Sequence, residues 1–83
     1  MQKRILVVAL DRRTEALRMA AGLTLLDDQV TVKVCGPLDT DADEQLEALD
    51  FADVPVDHAD LSRDEDINEL AQSIAIADAV YVL

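Results

Sequence analysis

Two neighbouring arginines follow the first apolar segment of the chain. Arg12 and Arg13 come directly after the run IleLeuValValAlaLeu at residues 5–10 and one aspartate. Two guanidinium groups beside the start of a helix favour an anion as ligand. The segment lacks the glycines of a dinucleotide-binding or phosphate-binding loop. The alternative, which is commoner, is that both arginines pair with acidic side chains of the same chain or of a neighbouring subunit, because surface ion pairs are frequent and weak.

Cys35 is the only cysteine of the chain and ends the second apolar segment. A thiol at the end of a strand carries sulfur as a persulfide when it is exposed and its pKa is lowered. Lys33, two residues earlier on the same strand face, would help to lower that pKa. The alternative is a small buried hydrophobic residue, which is the usual fate of a free cysteine. A single cysteine also excludes an intrachain disulfide and a cysteine-based zinc site.

The remaining candidate groups predict neither a metal site nor a catalytic triad. His58 is the only histidine, and no nucleophile is placed beside it by the sequence. Five acidic residues follow part of the spacing of a calcium-binding loop, but the sixth position is Glu44 instead of the glycine that the sharp turn requires. We therefore interpret this segment as a solvated helix start. The five residues are Asp39, Asp41, Asp43, Glu47 and Asp50.

Strands and helices that alternate along the chain must position these residues. Apolar patterns predict strands at 4–10, 29–35, 54–59 and 79–83, and helices at about 14–26, 41–51 and 62–77. The order β-α-β-α-β-α-β predicts a single α/β domain over residues 1–83, a three-layer α/β/α sandwich with a four-stranded parallel sheet. In such sheets ligands bind at the carboxyl ends of the strands. The arginine pair, Cys35 and His58 are all expected at that edge.

Local patterns refine this expectation. Strand 1 is apolar on both faces and is predicted to be central and covered by helices on both sides. Strand 2 alternates apolar and polar residues, which indicates a position near a sheet edge. Asp11 or Thr14 is expected to cap helix 1, and Ser62 begins a capping-box pattern at helix 3. Gly22 is expected to allow close packing of helix 1 against the sheet.

Composition limits the class of protein. The chain has 83 residues and a net charge of −11, and residues 39–83 carry fourteen acidic residues and one basic residue. This charge argues against nucleic-acid binding, which needs clustered Lys and Arg. The apolar runs are too short for a signal peptide or a transmembrane helix, so a cytoplasmic protein without membrane contact is expected. A domain of this size has little material to cover both sheet faces and the edges, so we expect a homo-oligomer.

Three segments together resemble the DsrE/DsrF/DsrH-like family of small sulfur-relay proteins. They are the opening KRILVVALDRRTEALRMAAGLTLL, the second strand VTVKVCG and the closing INELAQSIAIADAVYVL. The resemblance implies an oligomeric α/β protein that handles sulfur, with a sulfur-relay protein as partner. In that family the sulfur-carrying cysteine usually follows a later strand than Cys35 does, and the middle loops are longer.

The resemblance and the candidate residues leave three functional expectations. The first is a persulfide carrier or accessory subunit in sulfur metabolism, with Cys35 as the reactive residue and no cofactor. The second is a non-catalytic oligomeric module that binds a small anion or a nucleotide at Arg12 and Arg13. The third is a structural subunit without a ligand. None of the three requires the chain to be an enzyme.

Overall fold

Four strands and three α-helices alternate along the chain in a computed structural model that describes residues 2–83. The predicted order of elements is confirmed, with shorter strands than the apolar patterns indicate. A 3₁₀ turn precedes the second helix. The elements are β1 (Arg4–Ala9), α1 (Arg13–Leu23), β2 (Gln29–Val34), the 3₁₀ turn (Thr40–Ala42), α2 (Asp43–Phe51), β3 (Val56–His58), α3 (Asp64–Ile76) and β4 (Ala79–Val82).

The strands form one parallel sheet in the order β3-β2-β1-β4. The chain steps outward from β1 to β2 to β3 and then returns across the sheet to β4. Because each crossover between parallel strands is right-handed, α1 and α2 lie on one face and α3 lies on the other. This is the predicted three-layer α/β/α sandwich. β1 is central, as its apolar faces predict.

The core lies between β1, β2 and the helices α1 and α2. The inward side chains of both strands are buried, and Leu17 of α1 and Leu49 of α2 pack on them with no exposed surface. Alternate residues of a strand face opposite sides, so this core takes every second residue of each strand. The strand residues concerned are Ile5, Val7, Ala9, Val30, Val32 and Val34.

The opposite face of the sheet is less well covered. Leu6 and Val8 of β1 are buried there, but α3 has no buried residue along its length. β2 is an inner strand, one position from the β3 edge, and its polar face is the part of the sheet that α3 leaves open. β2 thus lies near an edge, as predicted, and its exposed polar residues lie on the face that no helix covers.

Helix ends differ from the sequence predictions. No side chain caps α1 or α3, whose N-caps are Arg12 and Arg63. The hydroxyl of Ser62 donates to Asp60 instead of capping α3. The expected close packing at Gly22 is also wrong, because a Cβ atom built there would meet no atom within 4 Å. The helix turns this glycine to solvent, so the sheet does not require it.

No helix within residues 2–83 is long and apolar enough to cross a membrane.

Candidate functional site

The carboxyl ends of β1, β2 and β3 form one continuous edge. The ladder continues one residue past each strand, since the N–H of Cys35 donates to Ala9 O and the N–H of Ala59 donates to Val34 O, both at 2.8 Å. These bonds fix the backbone of Cys35 next to the loop that carries the arginine pair. The predicted placement of the candidate residues at one edge follows from this parallel register.

Arg13 joins two loops of this edge. Its Nε donates to Pro37 O at 2.7 Å, and its Nη1 donates to Leu10 O at 2.9 Å. The guanidinium thus links the loop after β1 to the loop after β2. The sequence predicted an anion ligand or an acidic partner for Arg13, and the structure gives it two backbone carbonyls. The other N–H groups of the guanidinium take no part in these two hydrogen bonds.

Gly36 makes room for the Arg13 side chain. Its φ is +147°, and a Cβ atom built there would lie 2.8 Å from Arg13 Nη1. Residues other than glycine rarely adopt this backbone conformation, and a side chain at this position would also displace the guanidinium. The Arg13 side chain therefore keeps its position only because residue 36, next to Cys35, has no side chain. The sequence predicts for Gly36 only that it ends the strand, not that it makes room for Arg13.

Arg12 is exposed and occupies the N-cap position of α1. Within residues 2–83 its side chain takes part in no hydrogen bond or ion pair. The N–H groups of the first helical turn also lack a side-chain acceptor. A free guanidinium next to an uncapped helix N-terminus attracts anions. Of the two predicted anion-binding residues, Arg12 is thus the one whose donors are unused.

Cys35 is half-buried and lines a cavity of about 480 Å³. The cavity lies between the loops that follow β2 and β3, and His58 and Asp60 lie on its other side. Burial raises the pKa of the Cys35 thiol, while the positive charges of Arg13 and Lys33 oppose that effect. Burial is the larger influence, so the thiol is protonated at neutral pH. The expected lowering of the thiol pKa by Lys33 exists but does not prevail.

Asp60 forms a tight turn at the mouth of this cavity. One carboxylate oxygen accepts hydrogen bonds from the Ser62 hydroxyl at 2.6 Å and from the Ser62 N–H at 3.0 Å. These two bonds lower the pKa of Asp60 below its ordinary value. The Asp60 N–H in turn donates to Asp66 of α3 at 2.8 Å. Asp60 therefore stabilises the turn that leads into α3. His58 is exposed beside this turn.

Lys33 has a partner that the sequence analysis did not assign. Its Nζ lies 3.3 Å from an oxygen of Asp57, and the two residues are opposite each other in the register of β2 and β3. The pair could have been predicted only from the register in which β2 and β3 pair. The pair lines a second cavity, of about 330 Å³, on the sheet face that α3 leaves open. Ser73 and Ile76 of α3 form its wall.

Among residues 2–83, no three His, Cys, Asp or Glu side chains come together in an arrangement that suits a metal ion. The segment with partial calcium-loop spacing is a 3₁₀ turn followed directly by α2. Asp41 and Asp43 lie in the first turns of these helices, where negative charge is favourable, whereas Glu47 and Asp50 lie further along α2.

Comparison with protein-family models, with curated proteins and with solved structures gives no match to this chain.

Proposed function

We propose that this chain is a non-enzymatic carrier of sulfane sulfur, with Cys35 as the acceptor. The observation that carries the proposal is the position of the thiol. It lies in a cavity at the carboxyl edge of the sheet, next to a guanidinium that two backbone carbonyls fix in place. Buried structural cysteines are usually enclosed by apolar side chains, whereas this one is half-exposed and lies near Arg13 and Lys33.

The transfer is a thiol exchange reaction. The Cys35 thiolate attacks the outer sulfur of a donor persulfide, R–S–SH. A new S–S bond forms on Cys35, the S–S bond of the donor breaks, and the donor leaves as the thiolate R–S⁻, which takes up the proton that Cys35 released. The product carries a negative charge once its terminal sulfur ionises. The cation of Arg13 and, at longer range, that of Lys33 stabilise this anion.

The raised pKa of the thiol suits a carrier better than an enzyme. A catalytic cysteine needs a lowered pKa in order to react in the free protein. At Cys35 the thiolate is scarce at neutral pH, which limits alkylation and oxidation of the empty carrier. Sulfur then moves mainly when a partner presents its persulfide directly to the cavity. We propose a cytoplasmic sulfur-relay protein as that partner, and a homo-oligomer as the state in which the chain acts.

Intact-mass analysis after treatment with a low-molecular-weight alkyl persulfide tests the proposal. Wild type should gain about 32 Da, one sulfur atom, and a reductant should remove it. Cys35→Ser should gain nothing. Arg12→Ala is the matched control, because it removes a neighbouring guanidinium that does not contact the loop of Cys35, and it should gain the same mass as wild type. An adduct on Cys35→Ser, or none on wild type, would reject the carrier function.

A second candidate function, anion binding, has one observation in its favour. Arg12 has unused donors beside an uncapped helix N-terminus. A ligand that binds only the folded state raises its melting temperature. Inorganic phosphate should therefore raise the Tm of wild type but not of Arg12→Ala. Arg13 is unsuitable for this test because its loss breaks two structural hydrogen bonds. Equal shifts in both proteins would reject the anion site, and failure of both experiments would leave the structural subunit.

A further inference from the structure

The last fourteen residues of the chain are almost free of charge. The whole chain has 18 acidic and 7 basic residues, whereas residues 70–83 contain only Asp78. The carboxylate of Asp78 accepts a hydrogen bond from the Arg4 N–H at 2.8 Å and is thereby tied to the neighbouring strand. Depletion of charge is characteristic of the central part of protein–protein interfaces. On a chain of net charge −11, a segment with a single charged side chain is a surface on which two copies repel little.

The outer edge of β4 is unpaired within residues 2–83. The N–H of Leu83 donates to Val8 O, and the N–H of Leu10 donates to Leu83 O. In a parallel ladder alternate residues bond to the same neighbour, so Val80 and Val82 direct their N–H and C=O groups outward. Soluble proteins usually protect such an edge with charges or proline. The β4 segment AlaValTyrVal has neither.

The other edge of the sheet is protected. β3 is only three residues long, follows a proline and carries Asp57 and His58 on exposed positions. Both features discourage pairing with another strand. The contrast between the two edges singles out β4 as the edge at which the sheet is open to extension.

The outer side of α3 continues the apolar surface of β4. The least exposed residues of α3, Leu70 and Ser73 among them, define the side toward the sheet. Ile76 lies to one side of them, over the cavity above β2. At 100° per residue, Ile67 and Ile74 lie on the opposite side, toward β4. These residues form what we call the edge patch, whose exposed or half-exposed members are Ile67, Ala71, Ile74, Val80 and Val82.

The surface area of the molecule is larger than a monomer of its mass requires. The accessible surface is 5572 Å² for 9.1 kDa, and a folded monomer of that mass has about 4,900 Å². The molecule thus exposes about 700 Å² more than the average folded monomer of its mass. Ile74 and Val82 are among its exposed large apolar residues, at 43% and 57%.

From these observations we infer that a second copy of the chain pairs with β4, antiparallel, and extends the sheet to eight strands. A two-fold axis passes beside Tyr81. Val80 of each copy then exchanges both backbone hydrogen bonds with Val82 of the other, and the two Tyr81 residues form the pair without hydrogen bonds. Because the axis is perpendicular to the sheet, both edge patches lie on the same face, on either side of the axis.

A second copy fits this edge because the edge is self-complementary. Two identical antiparallel strands satisfy each other's outward groups, as a two-fold interface requires. Registers centred nearer the start of β4 would bring Asp78 of one copy toward Asp78 of the other. The register centred on Tyr81 separates the two carboxylates and leaves only uncharged side chains at the axis. Charge therefore disfavours the registers that are centred nearer Asp78.

Analytical ultracentrifugation tests the interface. At about 100 μM, wild type should sediment as a dimer of about 18 kDa, because interfaces of this size dissociate in the micromolar range or below. Val82→Lys should sediment at half that mass while keeping its far-UV circular dichroism, because Val82 is exposed in the monomer. Phe51→Lys is the matched control. It places the same charge on a 93% exposed apolar residue of α2 and should remain dimeric.

A cross-link tests the register independently. In the Cys35→Ser background, Tyr81→Cys should form a disulfide-linked dimer on mild oxidation. Pairs without hydrogen bonds have Cα atoms about 4.5 Å apart, which is within the disulfide range. Phe51→Cys in the same background should remain monomeric on denaturing gels. A monomeric wild type, as expected if another molecule covers the patch, would overturn the inference. So would a Val82→Lys variant of unchanged mass, or equal cross-linking of both cysteine variants.

Discussion

Replacement of Arg13 by alanine should destabilise the protein by about 2–3 kcal/mol. The substitution removes two hydrogen bonds, from Nε to Pro37 O and from Nη1 to Leu10 O. Hydrogen bonds from a charged donor contribute about 1.5–3 kcal/mol each when shielded, and partial exposure lowers the contribution of each to about 1–1.5 kcal/mol. The loss separates the loop after β1 from the loop after β2. The cost should therefore appear as a lower denaturation midpoint with an unchanged slope in urea.

Arg12→Ala is the control, since the same side chain is removed one residue earlier where it makes no contact of this kind. Its effect on the free energy of unfolding should stay within about 0.5 kcal/mol, as for other surface substitutions. If Arg13→Ala and Arg12→Ala have the same stability, the guanidinium does not join the two loops.

A double-mutant cycle with Gly36→Ala extends the test. Gly36→Ala should destabilise wild type by more than about 1 kcal/mol, because it combines an unfavourable backbone conformation with a contact of 2.8 Å to Arg13. In the Arg13→Ala background the steric part disappears and only the backbone part remains. The two substitutions should thus be non-additive. Additive effects would show that the glycine and the arginine act separately.

Three further predictions concern the cysteine and two helix ends. Because burial raises the pKa of Cys35, iodoacetamide should alkylate the folded protein more slowly than the denatured protein. The alkylation rate of the folded protein should increase about tenfold per pH unit from pH 7 to 8.5. A rate that reaches a plateau below about pH 8 would contradict the raised pKa. Gly22→Ala should raise the stability in urea by about 0.5–1 kcal/mol, because the site is helical and open, and a loss of stability would reveal a packing role. Asp53 follows α2 and has a φ of +58°, and the N–H of the next residue, Val54, donates to Leu49 O. Because glycine adopts this φ at lower cost, Asp53→Gly should raise the free energy of unfolding by about 0.5–1 kcal/mol in the same urea assay. A destabilised variant would show that the carboxylate contributes more than the backbone conformation costs.

The order of elements was predictable because the apolar segments are short, well separated and alternate with helical patterns. The central position of β1 was predictable in the same way, because β1 is apolar on both faces, whereas the order of the other strands was not predicted. Helix ends were less predictable. The Ser62 pattern suits a capping box, but the Ser62 hydroxyl bonds to Asp60 two residues earlier. Local turn chemistry and helix capping compete for the same hydroxyl, and the sequence does not say which prevails.

The edge that carries the candidate site was predictable from topology, but the contacts within it were not. Arginine at the start of a helix indicates an anion as readily as it indicates a carbonyl partner. Arg13 donates to the backbone carbonyls of Leu10 and Pro37. Every residue has such a carbonyl, so the residue types in the sequence do not indicate these two acceptors. The burial of Cys35 likewise depends on how the loop after β3 folds over the loop after β2. The Lys33–Asp57 pair needed the register of two strands.

The persulfide mass measurement tests the proposed function most directly. After exposure to an alkyl persulfide at neutral pH, the wild-type chain should carry one additional sulfur, about 32 Da, that a reductant removes. Arg12→Ala should behave in the same way, and Cys35→Ser should keep its original mass. A wild-type chain that remains unmodified while its denatured form accepts the sulfur would contradict the account, because the cavity would then shield Cys35 instead of presenting it.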